Sequence, residues 1–371
     1  MKMYKKSREE VIRRLEELGQ KVKEQFDRGE NPKIEIPMRS LSNVYFDETD
    51  GLIKLKRDKK QFRSYYNVAH VKKFMQTLLV AKSIRNLLKE DKTMSIRQMF
   101  YVNRITIPGT KEDVFYEQKE SDPIIEDIEV AIDVLRENLN IFADSKGLMA
   151  GDLKIIDHTT GDEIDLSKMG SAGYAIPGIV EPDKIEFVSN KAKYVLVVEK
   201  GAVWARLNED RYWKKNNCIL LTGKGQPSRA ERRMVRRLHD ELGLPVYVFT
   251  DLDPWGYYIY SVYKQGSINL AHFSEKCGVP DTKFIGFKVS DVKTFEMPKT
   301  GMFKMEKGDY KRLDEIKKYP WFKNRLWQKE IDDLKKFGWK IESDALVNKG
   351  IEFTANTYLP WKMKHPEDFL P

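Results

Sequence analysis

Residues 194–201, YVLVVEKG, decide the fold of this 371-residue chain. A short, continuous run of apolar residues that ends in a charged pair is typical of a strand buried on both faces. Similar runs follow at residues 218–221 (CILL) and 246–249 (VYVF), with helical spacing between and after them. This alternation predicts an α/β domain with a mainly parallel sheet.

Acidic residues follow two of these strands. Glu199 comes directly after the first strand, and Asp251 and Asp253 come directly after the third. Because the carboxyl ends of parallel strands meet at one edge of a sheet, three carboxylates are expected to gather there. Such a cluster favours an all-oxygen Mg²⁺ site. The alternative is structural: Asp253 caps the next helix and Glu199 pairs with Lys200.

The segment between the strands contains two features suited to phosphate. The loop 222–228, TGKGQPS, resembles a phosphate-binding loop but lacks full P-loop spacing before Lys224, so ATP binding by this chain is not expected. The following helix carries five arginines on one face. The basic face predicts sequence-independent contacts with a phosphate backbone. Its residues are Arg229, Arg232, Arg233, Arg236 and Arg237.

The segment 95–104, SIRQMFYVNR, predicts a helix that begins after Ser95. Helical spacing places Arg97, Tyr101 and Arg104 on one face, opposite a mostly apolar face. Two cations one turn away would stabilise a phenolate and attract a phosphate, so Tyr101 is a candidate nucleophile. The alternative is that Tyr101 is a half-buried structural aromatic residue.

The N-terminal half is expected to be mainly helical. The helix 7–28 has a narrow apolar stripe from Ile12 to Phe26, which would dock on this chain or on another protein chain. Helices at about 68–88, 95–104 and 123–139, followed by a hairpin at 147–156, indicate a winged helix-turn-helix. The predicted domains are an N-terminal helix with a small β appendage (1–67), a winged-helix domain (68–157), a linker (158–190), and an α/β domain with a helical C-terminal elaboration (191–371).

Composition excludes several classes of protein. No apolar run reaches the roughly 20 residues of a membrane span, so we expect no membrane partner and a cytoplasmic location. Two cysteines exclude a disulfide framework and a four-cysteine zinc site. The net charge of +9 is compatible with a polyanionic partner without identifying one.

Together these motifs resemble a known family. Glu199, the segment 251–256 (DLDPWG) and the loop 223–225 are similar to a Toprim domain, and residues 97–101 (RQMFY) resemble the nucleophile segment of a catabolite-activator-like winged-helix domain. In this order, with YKQGS at 263–267, they resemble the topoisomerase VI A subunits of type IIB, relatives of the meiotic double-strand-break transesterase. The resemblance runs from about residue 68 to the end, roughly four-fifths of the chain.

The resemblance implies a mechanism and site residues. Tyr101 would form a 5′-phosphotyrosyl link to double-stranded DNA, with Arg97 orienting the phosphate and Mg²⁺ held by Glu199, Asp251 and Asp253. The family often has two tyrosines where this chain has Phe100 and Tyr101, so only Tyr101 has the hydroxyl needed. Further DNA contacts would come from Arg104, Lys200 and Lys224, besides the five arginines.

The resemblance also implies an assembly. Each site would combine the tyrosine of one protomer with the carboxylates of the other, so a homodimer is expected. A partner B subunit of the GHKL ATPase class would bind ATP and complete an A2B2 heterotetramer, with the first helix as its candidate docking site. The complex would relax or decatenate DNA, associated with the nucleoid of an archaeal cell.

Three alternative functions stay open from the sequence. The first is a transesterase that breaks DNA without strand passage. The second is a Toprim hydrolase or primase in which Tyr101 is structural. The third is a non-catalytic DNA-binding scaffold. The simultaneous presence of Arg97, Tyr101 and all three carboxylates argues against the last two.

Overall fold

The computed structural model describes residues 7–144 and 146–371. The chain forms two compact units. The N-terminal unit comprises residues 7–45 and 55–144, and the C-terminal unit comprises residues 46–54 and 146–371. Within the described residues, no helix has both the length and the apolar character that crossing a membrane requires.

The N-terminal unit is mainly helical. Its helices are α1 (Arg8–Asp27), α2 (Val68–Lys89), α3 (Ile96–Asn103) and α4 (Gln118–Ile132). Its strands are β1 (Lys33–Pro37), which pairs antiparallel with β4 (Lys60–Ser64), and β5 (Met94–Ser95), which pairs with β6 (Ile141–Phe142). Two strands that lie between β1 and β4 in the sequence, β2 (Val44–Asp47) and β3 (Leu52–Leu55), form a separate two-stranded sheet, and most of their residues belong to the C-terminal unit.

The apolar stripe of α1 packs into its own unit. Val11 and Leu15 are buried in the same core as α2, α3 and α4, and Ile12 packs against that core. Val22 is also buried, whereas Phe26 at the end of the helix is partly exposed. The first of the two predicted docking partners, the chain itself, is therefore the observed one for the buried part of the stripe.

The C-terminal unit is built on a six-stranded sheet. Its strands in chain order are β7 (Leu148–Ala150), β10 (Tyr174–Ala175), β12 (Tyr194–Val198), β13 (Cys218–Thr222), β14 (Val246–Phe249) and β15 (Lys283–Phe284), and their spatial order is β10-β7-β13-β12-β14-β15. The four strands from β12 to β15 pair in parallel, and β7 is antiparallel to β13. The parallel sheet predicted from the apolar runs is confirmed.

A separate three-stranded sheet precedes β12. It comprises β8 (Leu153–Asp157), β9 (Asp162–Asp165) and β11 (Ile185–Asn190), in the order β11-β8-β9. The hairpin predicted at 147–156 is wrong, because β7 and β8 belong to different sheets. Residues 158–190, expected to be a linker, contain β9, β10 and β11 and are therefore structured.

Helices complete the C-terminal unit. They are α5 (Gly201–Glu209), α6 (Tyr212–Lys215), α7 (Arg229–Leu242), α8 (Pro254–Lys264), α9 (Ser274–Cys277), α10 (Val289–Thr294), α11 (Lys307–Lys318), α12 (Arg325–Phe337) and α13 (Leu359–Lys364). A last antiparallel pair, β16 (Met302–Lys304) and β17 (Trp339–Ile341), brings the C-terminal region to the sheet. Ile341 exchanges backbone hydrogen bonds with Leu252, directly after β14.

Candidate active site

Helix α3 presents the predicted tyrosine to solvent. The side chain of Ser95 accepts a hydrogen bond from the backbone of Gln98, and the side chain of Gln98 accepts one from the backbone of Ser95, so a capping box fixes the start of the helix. Met99 and Phe100 are buried in the core. The helix therefore has the orientation that its periodicity predicted.

The outer face of α3 carries the expected charged residues. Tyr101 is 56% exposed, which contradicts the half-buried alternative. Its ring packs edge-to-face on Phe100 with centroids 5.1 Å apart, and its hydroxyl makes no hydrogen bond within the described part of the chain. Arg97 is exposed, and Arg104 lies 3.7 Å from Asp113 between the guanidinium Nε and the carboxylate. A solvent-accessible hydroxyl thus lies one helical turn after Arg97, whereas Arg104 follows the end of α3 with a non-helical backbone, so the predicted helix ends one residue earlier than expected.

Glu199 and Asp251 meet at the carboxyl ends of neighbouring strands. The parallel pairing of β12 with β14 places both residues at the same edge of the sheet. The backbone N–H of Asp251 donates to Glu199 Oε2 over 3.1 Å, and the backbone N–H of Glu199 donates to Phe249 over 3.0 Å. The first part of the predicted carboxylate cluster is therefore assembled by the sheet itself.

The side chain of Asp251 is held by two residues from other parts of the chain. The backbone N–H and hydroxyl of Ser343 donate to Asp251 Oδ1 over 2.9 and 2.6 Å. The ammonium of Lys200 lies 3.2 Å from Asp251 Oδ2 and 3.3 Å from Glu342 Oε2. Asp251 is only 2% exposed, so this buried carboxylate has two hydrogen bonds and one cation as partners.

Asp253 has a structural role at the start of α8. Its Oδ1 accepts a hydrogen bond from the backbone N–H of Gly256 over 2.6 Å. A Cβ on Gly256 would lie 2.5 Å from the carbonyl oxygen of Asp251, so only glycine allows this close turn. Asp253 therefore caps α8 through Oδ1, whereas Lys200 pairs with Asp251 and not with Glu199. The role of Asp253 as a metal ligand stays a prediction.

The pKa values of two carboxylates in the cluster are raised, because the acids are buried close to each other. Burial and the negative charge of Asp251 raise the pKa of Glu199 to about 8. Burial likewise raises the pKa of Asp253 to about 6, with Asp251 adding to the effect against the hydrogen bond from Gly256. Burying negatively charged carboxylates next to each other costs free energy. Protons on the carboxylates, or a cation close to them, remove that cost.

The donor set fits a hard divalent cation. All three predicted ligands are carboxylates, and the charge of Asp251 raises the pKa of both neighbours, so they share one electrostatic environment. In the described conformation, no three His, Cys, Asp or Glu side chains of residues 7–144 and 146–371 form a ready-made metal-binding group. The Asp251 oxygens are engaged by Ser343 and by the Lys200 ammonium, which is the local cation. One oxygen of Asp253 is engaged by Gly256, and one of Glu199 by the Asp251 backbone.

The arginine face of α7 does not form a phosphate-binding stripe. Arg229, Arg232 and Arg237 are 4%, 2% and 1% exposed. Arg237 pairs with Glu241, donates to the carbonyl of Val180 and lies over Phe187.

The two remaining arginines are only partly buried, but they also have partners inside the chain. Arg233 pairs with Glu181, and Arg236 pairs with Asp240 and donates to the carbonyl of Gly278. This face therefore does not offer five free guanidinium groups: three of them are buried, and Arg233, Arg236 and Arg237 pair with acids of the same unit. Contact of these residues with a phosphate backbone stays a prediction.

The glycine loop lies against the same strand end. Gly225 donates its N–H to the carbonyl oxygen of Glu199 over 2.8 Å. Lys224 is exposed, and its side chain covers Gly201, where a Cβ would lie 3.2 Å from the Lys224 Cγ. Lys224 is therefore an accessible cation close to the first turn of α5.

Sequence reasoning missed Ser343 and Glu342. Both come from the segment after β17, 92 residues from Asp251 in the case of Ser343. Nothing in the local sequence marks them, because a Glu-Ser pair is common on protein surfaces. Only the backbone pairing of Ile341 with Leu252 brings them to the carboxylates.

Comparisons with known families match three parts of the chain. The Toprim-domain family of the topoisomerase 6 A subunits and Spo11 matches residues 194–363. The family described as "Type IIB DNA topoisomerase" matches residues 72–141. The "All-beta domain in DNA topoisomerase VI alpha subunit" matches residues 146–191, the region that contains the three-stranded sheet.

Relatives match almost the whole chain. The A subunit of type 2 DNA topoisomerase 6 from Pyrococcus abyssi is 47% identical, over 96% of this chain and 94% of the relative. Those of Hyperthermus butylicus and Methanocaldococcus jannaschii are 42% and 36% identical, over 96% and 99% of this chain and 95% and 98% of each relative. The resemblance inferred from the motifs is confirmed: the chain belongs to the family of the A subunits of type 2 DNA topoisomerase 6, the catalytic subunits of a type II DNA topoisomerase.

Proposed function

We propose that this chain cleaves and religates double-stranded DNA through Tyr101, in a complex that passes one duplex through another. The observation that carries the proposal is the outer face of α3, where the exposed phenol of Tyr101 follows the exposed Arg97 by one turn, with Arg104 directly after the helix. A hydroxyl that attacks a phosphodiester must be accessible, and that of Tyr101 is exposed and makes no hydrogen bond among the described residues. Family membership supplies the reaction class.

The chemistry of this proposal follows from the tyrosine. The Tyr101 oxygen attacks the phosphorus in line, loses its proton, and forms a phosphotyrosyl ester with the 5′ end. The bond from phosphorus to the 3′ oxygen breaks, and that oxygen leaves as a hydroxyl. Arg97 orients the phosphate and offsets its charge. Since one ester replaces another, the reverse reaction reseals the strand without an external energy source.

The carboxylate cluster is proposed to hold Mg²⁺. Glu199, Asp251 and Asp253 supply oxygen ligands, and raised pKa values of Glu199 and Asp253 mark the charge that the cation would offset. When bound, the ion supplies positive charge next to the phosphate and the leaving oxygen. Additional phosphate contacts are proposed for Arg104, Lys200 and Lys224.

The winged-helix domain is retained as a proposal only for the part of residues 68–157 that lies in the N-terminal unit, 68–144, because residues 146–157 belong to the C-terminal unit. Its support is the helical core of α2, α3 and α4. Directly after α3 the chain turns back on itself, with Thr106 bridging Asp113 in antiparallel register. An exposed helix followed by such a turn suits docking on DNA.

The proposed assembly is an A2B2 heterotetramer in which a homodimer of this chain forms two split sites. Each site would combine Tyr101 of one protomer with the carboxylates of its partner, so that both strands are cut. ATP would bind to the B subunit, consistent with the incomplete P-loop at residues 222–228. Such a complex would work on chromosomal DNA in the cytoplasm.

Covalent trapping tests the nucleophile. The chain, a B subunit, supercoiled DNA, Mg²⁺ and ATP are mixed and quenched with denaturant, and protein attached to DNA 5′ ends is measured. Tyr101→Phe should abolish both trapping and relaxation. Tyr66→Phe is the matched control, since Tyr66 is also exposed in the N-terminal unit, and it should keep both activities. Trapping by Tyr101→Phe at the wild-type level would refute the assignment.

A further inference from the structure

We propose that Lys200 is an internal counter-ion that neutralises Asp251 until a divalent cation displaces it, and that Glu342 then keeps its ammonium. The inference rests on the proposed metal site. It concerns a positioning residue, since Lys200 acts on the cation through Asp251. The observation behind it is that one ammonium lies 3.2 Å from Asp251 and 3.3 Å from Glu342.

The two partners of Lys200 differ in their surroundings. The side chain of Asp251 is 3% exposed, whereas that of Glu342 is 53% exposed. A buried carboxylate without a cation is costly, so the ammonium stabilises Asp251 when no metal is bound. The carboxylate of Glu342 is largely solvated, so the ammonium stabilises it less than it stabilises Asp251. Glu342 can nevertheless remain the partner of the ammonium.

The second oxygen of Asp251 explains why Lys200 is the partner that must move. Oδ1 is fixed by both donors of Ser343, so Oδ2 is the oxygen left for a cation. The Lys200 ammonium occupies that oxygen now. A divalent cation at Oδ2 would repel the ammonium at hydrogen-bond distance, and binding therefore requires the exchange.

Lys200 itself can move without disturbing the fold. Its backbone is the N-cap of α5, but its side chain does not cap the helix. Its side chain is 29% exposed, so the ammonium can turn towards Glu342 and solvent. The helix start and the sheet edge would stay in place while the ammonium moves.

Metal affinity measures the exchange directly. Mn²⁺ binding to the full-length chain is titrated by calorimetry and by the electron paramagnetic resonance signal of free Mn²⁺. Lys200→Met removes the competitor and should tighten Mn²⁺ binding by about tenfold. Lys200→Arg keeps the charge and should stay within about threefold of wild type. The control is Lys54→Met, which removes a lysine that pairs with Asp47 and Asp50 elsewhere in the same unit.

Thermal denaturation gives a second readout, which applies even if Lys200→Met is too unstable for a metal titration. Without metal, Lys200→Met should unfold at a lower temperature than Lys200→Arg, because the buried acids lose their counter-ion. Saturating Mn²⁺ should remove most of that difference. A deficit that Mn²⁺ leaves unchanged would mean that Lys200 only supports packing, and it would overturn the proposal.

Glu342 tests the exchange itself through a double-mutant cycle. Glu342→Gln should weaken Mn²⁺ binding in the wild-type background, because the ammonium then has only Asp251. In the Lys200→Met background the same change should have a clearly smaller effect. Equal effects in both backgrounds would mean that Glu342 acts only through its own charge, and they would refute the exchange.

Failure of the inference and failure of the metal site can be told apart. If wild type binds Mn²⁺ and Asp251→Asn does not, the metal site stands. Unchanged or weaker binding by Lys200→Met then overturns the counter-ion role alone. If wild type binds no Mn²⁺, or Asp251→Asn binds it equally well, the proposed site and the inference both fall.

Discussion

Replacing Glu199 with glutamine should flatten the pH dependence of stability of the metal-free chain. Burial and the charge of Asp251 raise the pKa of Glu199 from its ordinary value of 4.5 to about 8. Between these two values the folded chain holds a proton that the unfolded chain has lost. Stability is therefore highest in acid and falls as pH rises through this interval. Glutamine carries no titrating proton and can accept the same hydrogen bond from Asp251.

The size of the effect follows from the pKa difference. Each pKa unit corresponds to about 1.4 kcal/mol, and the interval from pH 5 to pH 8 includes most of the shift of Glu199. The wild-type chain should therefore lose about 3 kcal/mol more than Glu199→Gln over this interval. The raised pKa of Asp253, about 6, contributes a smaller loss that both proteins share.

Tryptophan fluorescence makes the measurement specific. All seven tryptophans lie in the C-terminal unit, so their emission during urea unfolding reports on the unit that contains Glu199. Unfolding is followed in a chelator between pH 5 and pH 8. Glu163→Gln, a change at an exposed glutamate of β9, should behave as wild type. Equal losses of stability in wild type and Glu199→Gln would refute the reasoning.

Two further substitutions test the packing around the site. Arg237→Ala should destabilise the C-terminal unit by about 3 kcal/mol, because it leaves Glu241 without its buried partner, whereas Arg236→Ala should cost less than about 1 kcal/mol. Comparable urea midpoints for the two variants would contradict the structural role of Arg237. Gly256→Ala should cost about 2 kcal/mol or more and weaken Mn²⁺ binding, because its Cβ would lie 2.5 Å from the Asp251 carbonyl. Wild-type stability and affinity would show that the turn can relax.

Local periodicity was sufficient for the strands and for helix α3. The apolar runs of β12, β13 and β14 leave no polar face, so they had to lie inside a sheet covered on both sides. Parallel strands end at one edge of a sheet. The sequence therefore predicted that Glu199 and Asp251, which come after two such strands, lie at the same edge. In α3, the separation of Met99 and Phe100 from Tyr101 determined which side faces solvent.

Non-local partners account for what the sequence did not predict. Arginines at helical spacing give the same sequence pattern whether they face DNA or the rest of their own protein. The contact that shows Arg233 to have an internal partner is with Glu181, 52 residues away. The prediction of a hairpin was wrong because of non-local pairing as well. β7 pairs with β13 and β10, which lie further along the chain, and not with β8. Ser343 could not be found, because the strand ends carry no signal for a donor 92 residues downstream.

The contact between Asp251 and Ser343 has a consequence for the order of folding during synthesis. A nascent chain that has emerged only as far as Asp253 has the strand ends and their acids but no donor for Asp251 Oδ1. Completion of this edge must wait until the segment after β17 leaves the ribosome and pairs with Leu252. The carboxylate edge is therefore finished only after 92 further residues beyond Asp251 have been synthesised, and the proposed cation site cannot be complete before then.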